Sequence, residues 1–146
     1  MQSARVDDTL TVSFQIQPED VAAIRDAGFV AIINNRPDGE VADQPAGEEI
    51  ARAAAEAGLA YAALPVSGRE GITPDTIRGF QEVLEAADGP VFAFCRTGTR
   101  SINLWALSQA ADRDPAELLQ LAAEAGYDLS ALAPALRQIA SHGLPG

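Results

Sequence analysis

Lysine is missing from this chain altogether, and all ten of its basic residues are arginine. Set against 21 acidic residues, they leave a formal net charge of −11 at neutral pH. Non-specific nucleic-acid binders and proteins that sit on anionic membranes need a positive field, so this balance argues against both partners and leaves room only for a local positive pocket. Cysteine occurs once, as Cys95, which excludes an internal disulfide and a cysteine-rich zinc cluster. Histidine also occurs once, as His142, so a Cys-His or Ser-His-Asp arrangement has little to draw on. No apolar run approaches the ~18 residues of a membrane span, and the stretch from Met1 to Asp8 lacks the basic flank and apolar core of a secretion signal. A cytoplasmic protein is the expectation.

What is present is a 146-residue chain, 47% hydrophobic, with no internal repeat, linker or break in composition. One domain over residues 1–146 is the simplest reading. The strict alternation from Leu10 to Ile16 suits a half-buried strand at a sheet edge. Continuous apolar runs at Phe29 to Ile33 and Pro90 to Phe94 suit covered strands, and Leu59 to Leu64 reads as a further strand closed by Pro65. Between them lie helical patterns, with proline or a capping residue at their starts, as in Thr73-Pro74-Asp75 and Asp114-Pro115. This order predicts an α/β fold with a mostly parallel central sheet of about four strands flanked by helices. Ligands of such sheets bind beyond the carboxyl ends of the strands. There the Asn34–Glu40 turn, the Val66–Ile72 loop and the segment after Phe94 should meet.

That last segment, Cys95-Arg96-Thr97-Gly98-Thr99-Arg100-Ser101, carries the chemistry. Loop amides and the unpaired N–H groups of a helix start form a concave anion site, and the same field favours the nucleophilic thiolate. Cys95 is the candidate nucleophile, and Arg100 can present its planar fork to two oxygens of an anion. Gly98 lets the loop turn with a positive φ, while Ser101 or Thr97 can hydrogen-bond the thiolate. Arg96 and Thr99 complete the set of loop amides around a bound anion. The bland alternatives are a buried structural cysteine and an arginine spent on a surface ion pair. In the facing turn, Asn34, Asn35 and Asp38 read first as turn formers, with Asp38 also able to face the substrate. Arg36 binds an anion or forms a structural ion pair. Glu70 is the nearest carboxyl that could act as proton donor, though a loop acid is more often simply solvated.

Taken together, the Asn34-Asn35-Arg36 turn, the Leu64-Pro65-Val66 segment and the Cys95 loop resemble compact dual-specificity phosphatases. The chain more closely resembles the bacterial phosphatase-like family known as DUF442, across roughly residues 4 to 110. Asn-Asn-Arg-Pro-Asp-Gly and Cys-Arg-Thr-Gly-Thr-Arg-Ser are its most specific segments. This resemblance implies a cysteine-phosphatase fold, hydrolysis of small phosphorylated substrates through a Cys95 thiophosphate, Arg100 on the phosphoryl oxygens, and no metal or organic cofactor. Members occur alone or fused to a metallo-β-lactamase-type hydrolase, which implies a functional link to such an enzyme. Two features depart from the phosphatase pattern. Four residues rather than five separate Cys95 from Arg100, as in rhodanese-type sulfurtransferases, and Ser67 stands where an aspartate usually follows the Pro-Val pair. A sulfurtransferase carrying a Cys95 persulfide and a non-catalytic oxyanion-binding module therefore remain open beside the hydrolase.

Overall fold

A computed structural model describes residues 1–144. Five strands form one sheet in the order β1 (Ser3–Arg5), β2 (Leu10–Ser13), β5 (Val91–Phe94), β3 (Ala31–Asn34) and β4 (Ala60–Ala63). The pairs β2–β5, β5–β3 and β3–β4 are parallel, and only β1 runs antiparallel, on β2. The mostly parallel α/β architecture expected from the sequence is present, with one strand more. The alternating segment is not at the edge: Leu10–Ser13 is buried throughout, because β1 covers its outer side. Three residues with no apolar alternation leave β1 without a periodic signal.

Period-two burial divides the core between two faces. Val91 and Ala93 of β5, with Ala31 and Ile33 of β3, face one cluster. Its helices are α3 (Pro74–Ala86), α4 (Thr99–Gln109), α5 (Pro115–Glu124) and α6 (Ala133–His142). Phe92, Phe94 and Ile32 face the other cluster, beneath α1 (Val21–Asp26) and α2 (Gly47–Glu56). Phe29 packs edge-on against Phe92, with ring centroids 5.3 Å apart.

The helix starts follow the capping signals. Thr73 accepts from the Thr76 amide and Asp114 from the Ala116 amide, each just before a proline in the first turn. Such caps satisfy donors that a helix cannot pair internally.

Register decides where chemistry can sit. Ser13 pairs with Phe94, Phe94 with Asn34, and Asn34 with Ala63, so four strands end in a single row. Gln15, Cys95, Asn35 and Leu64 all follow that row within two residues. Among the described residues, no helix is long and apolar enough to cross a membrane.

Candidate active site

Cys95 opens the loop between β5 and α4. Its amide donates to Ser13 O at 3.3 Å, and Arg96 O accepts from the Gln15 amide at 3.2 Å, which ties one side of the loop to the end of β2. On the other side, the Asn35 amide donates to Phe94 O at 2.8 Å. The fully buried Asn35 side chain joins the remaining pieces. Its Nδ2 donates to Leu64 O and its Oδ1 accepts from Ser101 Oγ, both at 2.8 Å. An amide can serve donor and acceptor partners at once, so one residue fixes β3, the β4 loop and α4 relative to one another. Ser101, expected near the thiolate, is thus committed to Asn35.

The loop turns at Gly98, whose φ is +87°. Its amide donates to Cys95 Sγ at 3.1 Å. Among the described residues, the amides of Arg96, Thr97, Thr99 and Arg100 donate to no protein acceptor. Cys95 is 1% exposed, so the sulfur lies at the floor of the loop rather than on the surface. The Arg96 side chain points into solvent, and the Thr97 and Thr99 hydroxyls pair with each other at 3.1 Å. Unpaired amides next to a helix start are the donors an oxyanion needs.

Arg100 is held from outside the loop. Its Nη1 donates to Glu40 Oε2 at 2.8 Å and to Val66 O at 2.9 Å, and its Nη2 to Glu40 Oε1 at 3.0 Å. A guanidinium has five N–H donors in a fixed plane. Three are occupied by Glu40 and Val66, and Nε–H and one on Nη2 remain beyond those bonds, with Cys95 close enough to interact with the guanidinium. Glu40 raises the Arg100 pKa above its ordinary value, and the nearby Cys95 charge adds to the effect. Glu40 therefore fixes the arginine without occupying all of its donors.

Glu40 also accepts from Arg36 Nε at 2.8 Å, while Arg36 Nη1 donates to Gln15 Oε1 at 3.1 Å. Arg100 first, and Arg36 after it, hold the Glu40 carboxyl down at about 2 from its ordinary 4.5, against the opposing effect of burial. Arg36 is buried at 6% exposure and bonded within the protein, where it forms a structural ion pair that orders the turn. Asn34 closes that turn by accepting from the Arg36 amide at 2.9 Å. Asp38 accepts from the Gly47 amide at 2.8 Å at the start of α2, the structural role of a turn acid.

Glu70 lies in the wall of a separate hollow with Pro37, Pro65, Ser67, Gly71, Thr73 and Thr76. Its amide donates to Ser67 Oγ, and among the described residues its carboxylate bonds to no part of the Cys95 loop. Two residues of the site were not singled out from the sequence. Glu40 had one available signal, its i, i+4 spacing from Arg36, since a buried guanidinium calls for a carboxylate. Tyr127, whose hydroxyl donates to Thr97 O at 2.7 Å, had none.

A family model described as "Beta-lactamase hydrolase-like protein, phosphatase-like domain" matches residues 4–112. The chain is 42% identical over 112 residues to the β-lactamase hydrolase-like protein of Agrobacterium fabrum, a stretch covering 77% of this chain and 26% of that protein. It thus spans little more than a quarter of that relative's length. The crystal structure of a candidate phosphatase from Neisseria meningitidis is similar at 33% identity and a TM-score of 0.78, covering 92% of this chain and 96% of the other. PTPMT1, at 15% identity and a TM-score of 0.73 over 95% of this chain and 94% of its own, shares the fold. The architecture is that of the cysteine-dependent phosphatases, and the chain belongs to the family of phosphatase-like domains found in β-lactamase hydrolase-like proteins.

Proposed function

We propose that this chain hydrolyses phosphomonoesters through Cys95. The observation that carries the reading is the pair of donor sets around one sulfur: the loop amides without a protein acceptor among the described residues and the Arg100 guanidinium held beside Cys95. Three phosphoryl oxygens can be held there while Sγ approaches phosphorus in line with the leaving oxygen. The S–P bond forms as the P–O bond breaks, and the departing oxygen takes up a proton. Water then attacks the thiophosphate, the P–S bond breaks, and inorganic phosphate leaves with the thiolate restored.

The source of the first proton shapes the substrate range. Glu40 is held ionised between two guanidiniums, Asp38 is bound to the start of α2, and among the described residues Glu70 makes no bond to the loop. If none of these three carboxyls donates the proton, the leaving oxygen departs largely as an anion and is protonated by water. Aryl phosphates should therefore turn over far faster than alkyl phosphates. A functional link to a metallo-β-lactamase-type hydrolase belongs to the same proposal, supported by relatives that extend well beyond the stretch shared with this chain.

One observation favours a second reading. Four residues between Cys95 and Arg100 make a shorter loop, and sulfur transfer needs no acid. Thiosulfate would then pass its outer sulfur to Sγ with release of sulfite, and cyanide would remove that sulfur as thiocyanate.

A single preparation assayed with an aryl phosphate and with thiosulfate plus cyanide tests both. Phosphate release, inhibited by vanadate and reduced more than about 10³-fold in Cys95→Ser, is the expected result. Thiocyanate formation without phosphate release would replace the hydrolase with the transferase. Sulfate binding with neither turnover would leave a binding module.

A further inference from the structure

We propose that Tyr127 is a positioning residue that holds the Thr97–Gly98 peptide in the orientation that points its N–H at Cys95. Tyr127 follows α5 and lies outside the 4–112 stretch matched by the family model. Its hydroxyl donates to Thr97 O at 2.7 Å. The Gly98 amide, donating to Cys95 Sγ at 3.1 Å, belongs to the same peptide unit as that carbonyl.

A trans peptide is planar and its C=O and N–H point in opposite directions, so the unit turns as one body. Tyr127 grips one end and the sulfur receives the other. Rotation of this peptide would turn its carbonyl oxygen toward the sulfur, the worst neighbour for a thiolate. The phenol prevents that rotation and, by bonding to the carbonyl, polarises the N–H into a better donor.

Gly98 shows how close the contact is: a Cβ there would lie 2.3 Å from the Tyr127 oxygen. The residue must be glycine both for its φ of +87° and for this approach. Burial first, and then the Cys95 charge, push the Tyr127 phenol above its ordinary value, which keeps it a proton donor through the neutral range. Arg100 also acts on the sulfur, through its charge and its own side-chain hydrogen bonding rather than through this peptide.

The test exploits the single cysteine, because all thiol alkylation in the chain is at Cys95 and is read as the carbamidomethylated Cys95 peptide. Iodoacetamide alkylation is followed against pH in the whole protein and in Tyr127→Phe, which removes only the hydroxyl. Loss of one hydrogen bond behind the loop should lower the alkylation rate near neutrality about three- to tenfold and move the profile to higher pH. Sulfate binding should weaken by a similar factor, with the melting temperature little changed. Tyr127→Met provides a second hydroxyl-free variant if the unanchored ring disturbs folding. Superimposed alkylation profiles for the folded variants and the parent would overturn the proposal. The readout does not depend on turnover: a shifted profile in a protein that cleaves no aryl phosphate keeps the role of Tyr127 and removes only the hydrolase.

Discussion

On one flank of the Cys95 loop, Glu40 binds Arg100 through two oxygens and Arg36 through one; on the other, a single neutral hydroxyl from Tyr127 bonds a backbone carbonyl. The first flank works by charge and controls the direction of a guanidinium. The second works by shape and, on our proposal, controls the direction of a peptide. The difference teaches that an anion site has two separable requirements, an aimed cation and aimed amides, and that they need not come from the same part of the chain. The charged flank lies within the stretch matched by the family model, and the neutral flank lies beyond it.

The strongest way to break the charged flank is Arg100→Lys. An ammonium cannot bond Glu40 bidentately and still offer a planar fork, so kcat/KM for an aryl phosphate should fall about 10²–10³-fold. Equal rates in steady-state assays would show that the fork is not used. Glu40→Gln should follow with a loss of about 10- to 10²-fold, since the arginine remains but is no longer held by charge. A Glu40→Gln variant with unchanged kcat and KM would reduce Glu40 to a surface ion pair.

Gly98→Ala probes the neutral flank. A left-handed conformation for alanine costs about 1–2 kcal/mol, and its Cβ collides with the Tyr127 hydroxyl. Adding Tyr127→Phe should recover part of that loss in thermal melts. Strict additivity would mean that the two residues do not press on each other.

Glu40 gives a smaller, pH-dependent effect. A carboxyl whose value is lowered by folding stabilises the native state fully above its unfolded value near 4.5, and that contribution disappears as the pH falls toward about 2. The melting temperatures of the parent and Glu40→Gln should therefore differ by a constant amount from neutrality down to about pH 4.5 and converge below it. Convergence already at pH 6 would contradict the ion pair. Thr73→Ala should move activity least. Losing the α3 cap costs about 1 kcal/mol of stability and leaves both flanks intact, so denaturant midpoints should shift while kcat does not.

The elements nearest the chemistry were legible because each carries its own local cause. Thr73-Pro74 and Asp114-Pro115 announce helices through the unpaired amides they cap or avoid. Val91–Phe94 reads as a covered strand because both its faces are buried. Leu10–Ser13 shows where this logic stops. Alternating polarity suggests one wet face, but Thr11 and Ser13 are covered once β1 and the flanking helices are in place. Glu40 and Tyr127 show the same limit at the site. Glu40 meets Arg100 from 60 positions away, and Tyr127 meets Thr97 from 30, and no local period encodes either meeting.

By itself, the sequence determined the strand–loop–helix unit, the thiol and arginine within it, and the α/β class. These follow from residue chemistry, apolar period and glycine at a turn, all of which act over a few neighbouring positions. Only the tertiary structure decided which donors stay open, because a donor is open or spent according to what packs against it. Register brought Ser13, Phe94, Asn34 and Ala63 into one row, and that row placed Asn35, Glu40 and Val66 around the loop. Ser101 was drawn away to Asn35, Arg36 was turned inward, and Arg100 was held by Glu40 and Val66 close enough to interact with the only cysteine in the chain.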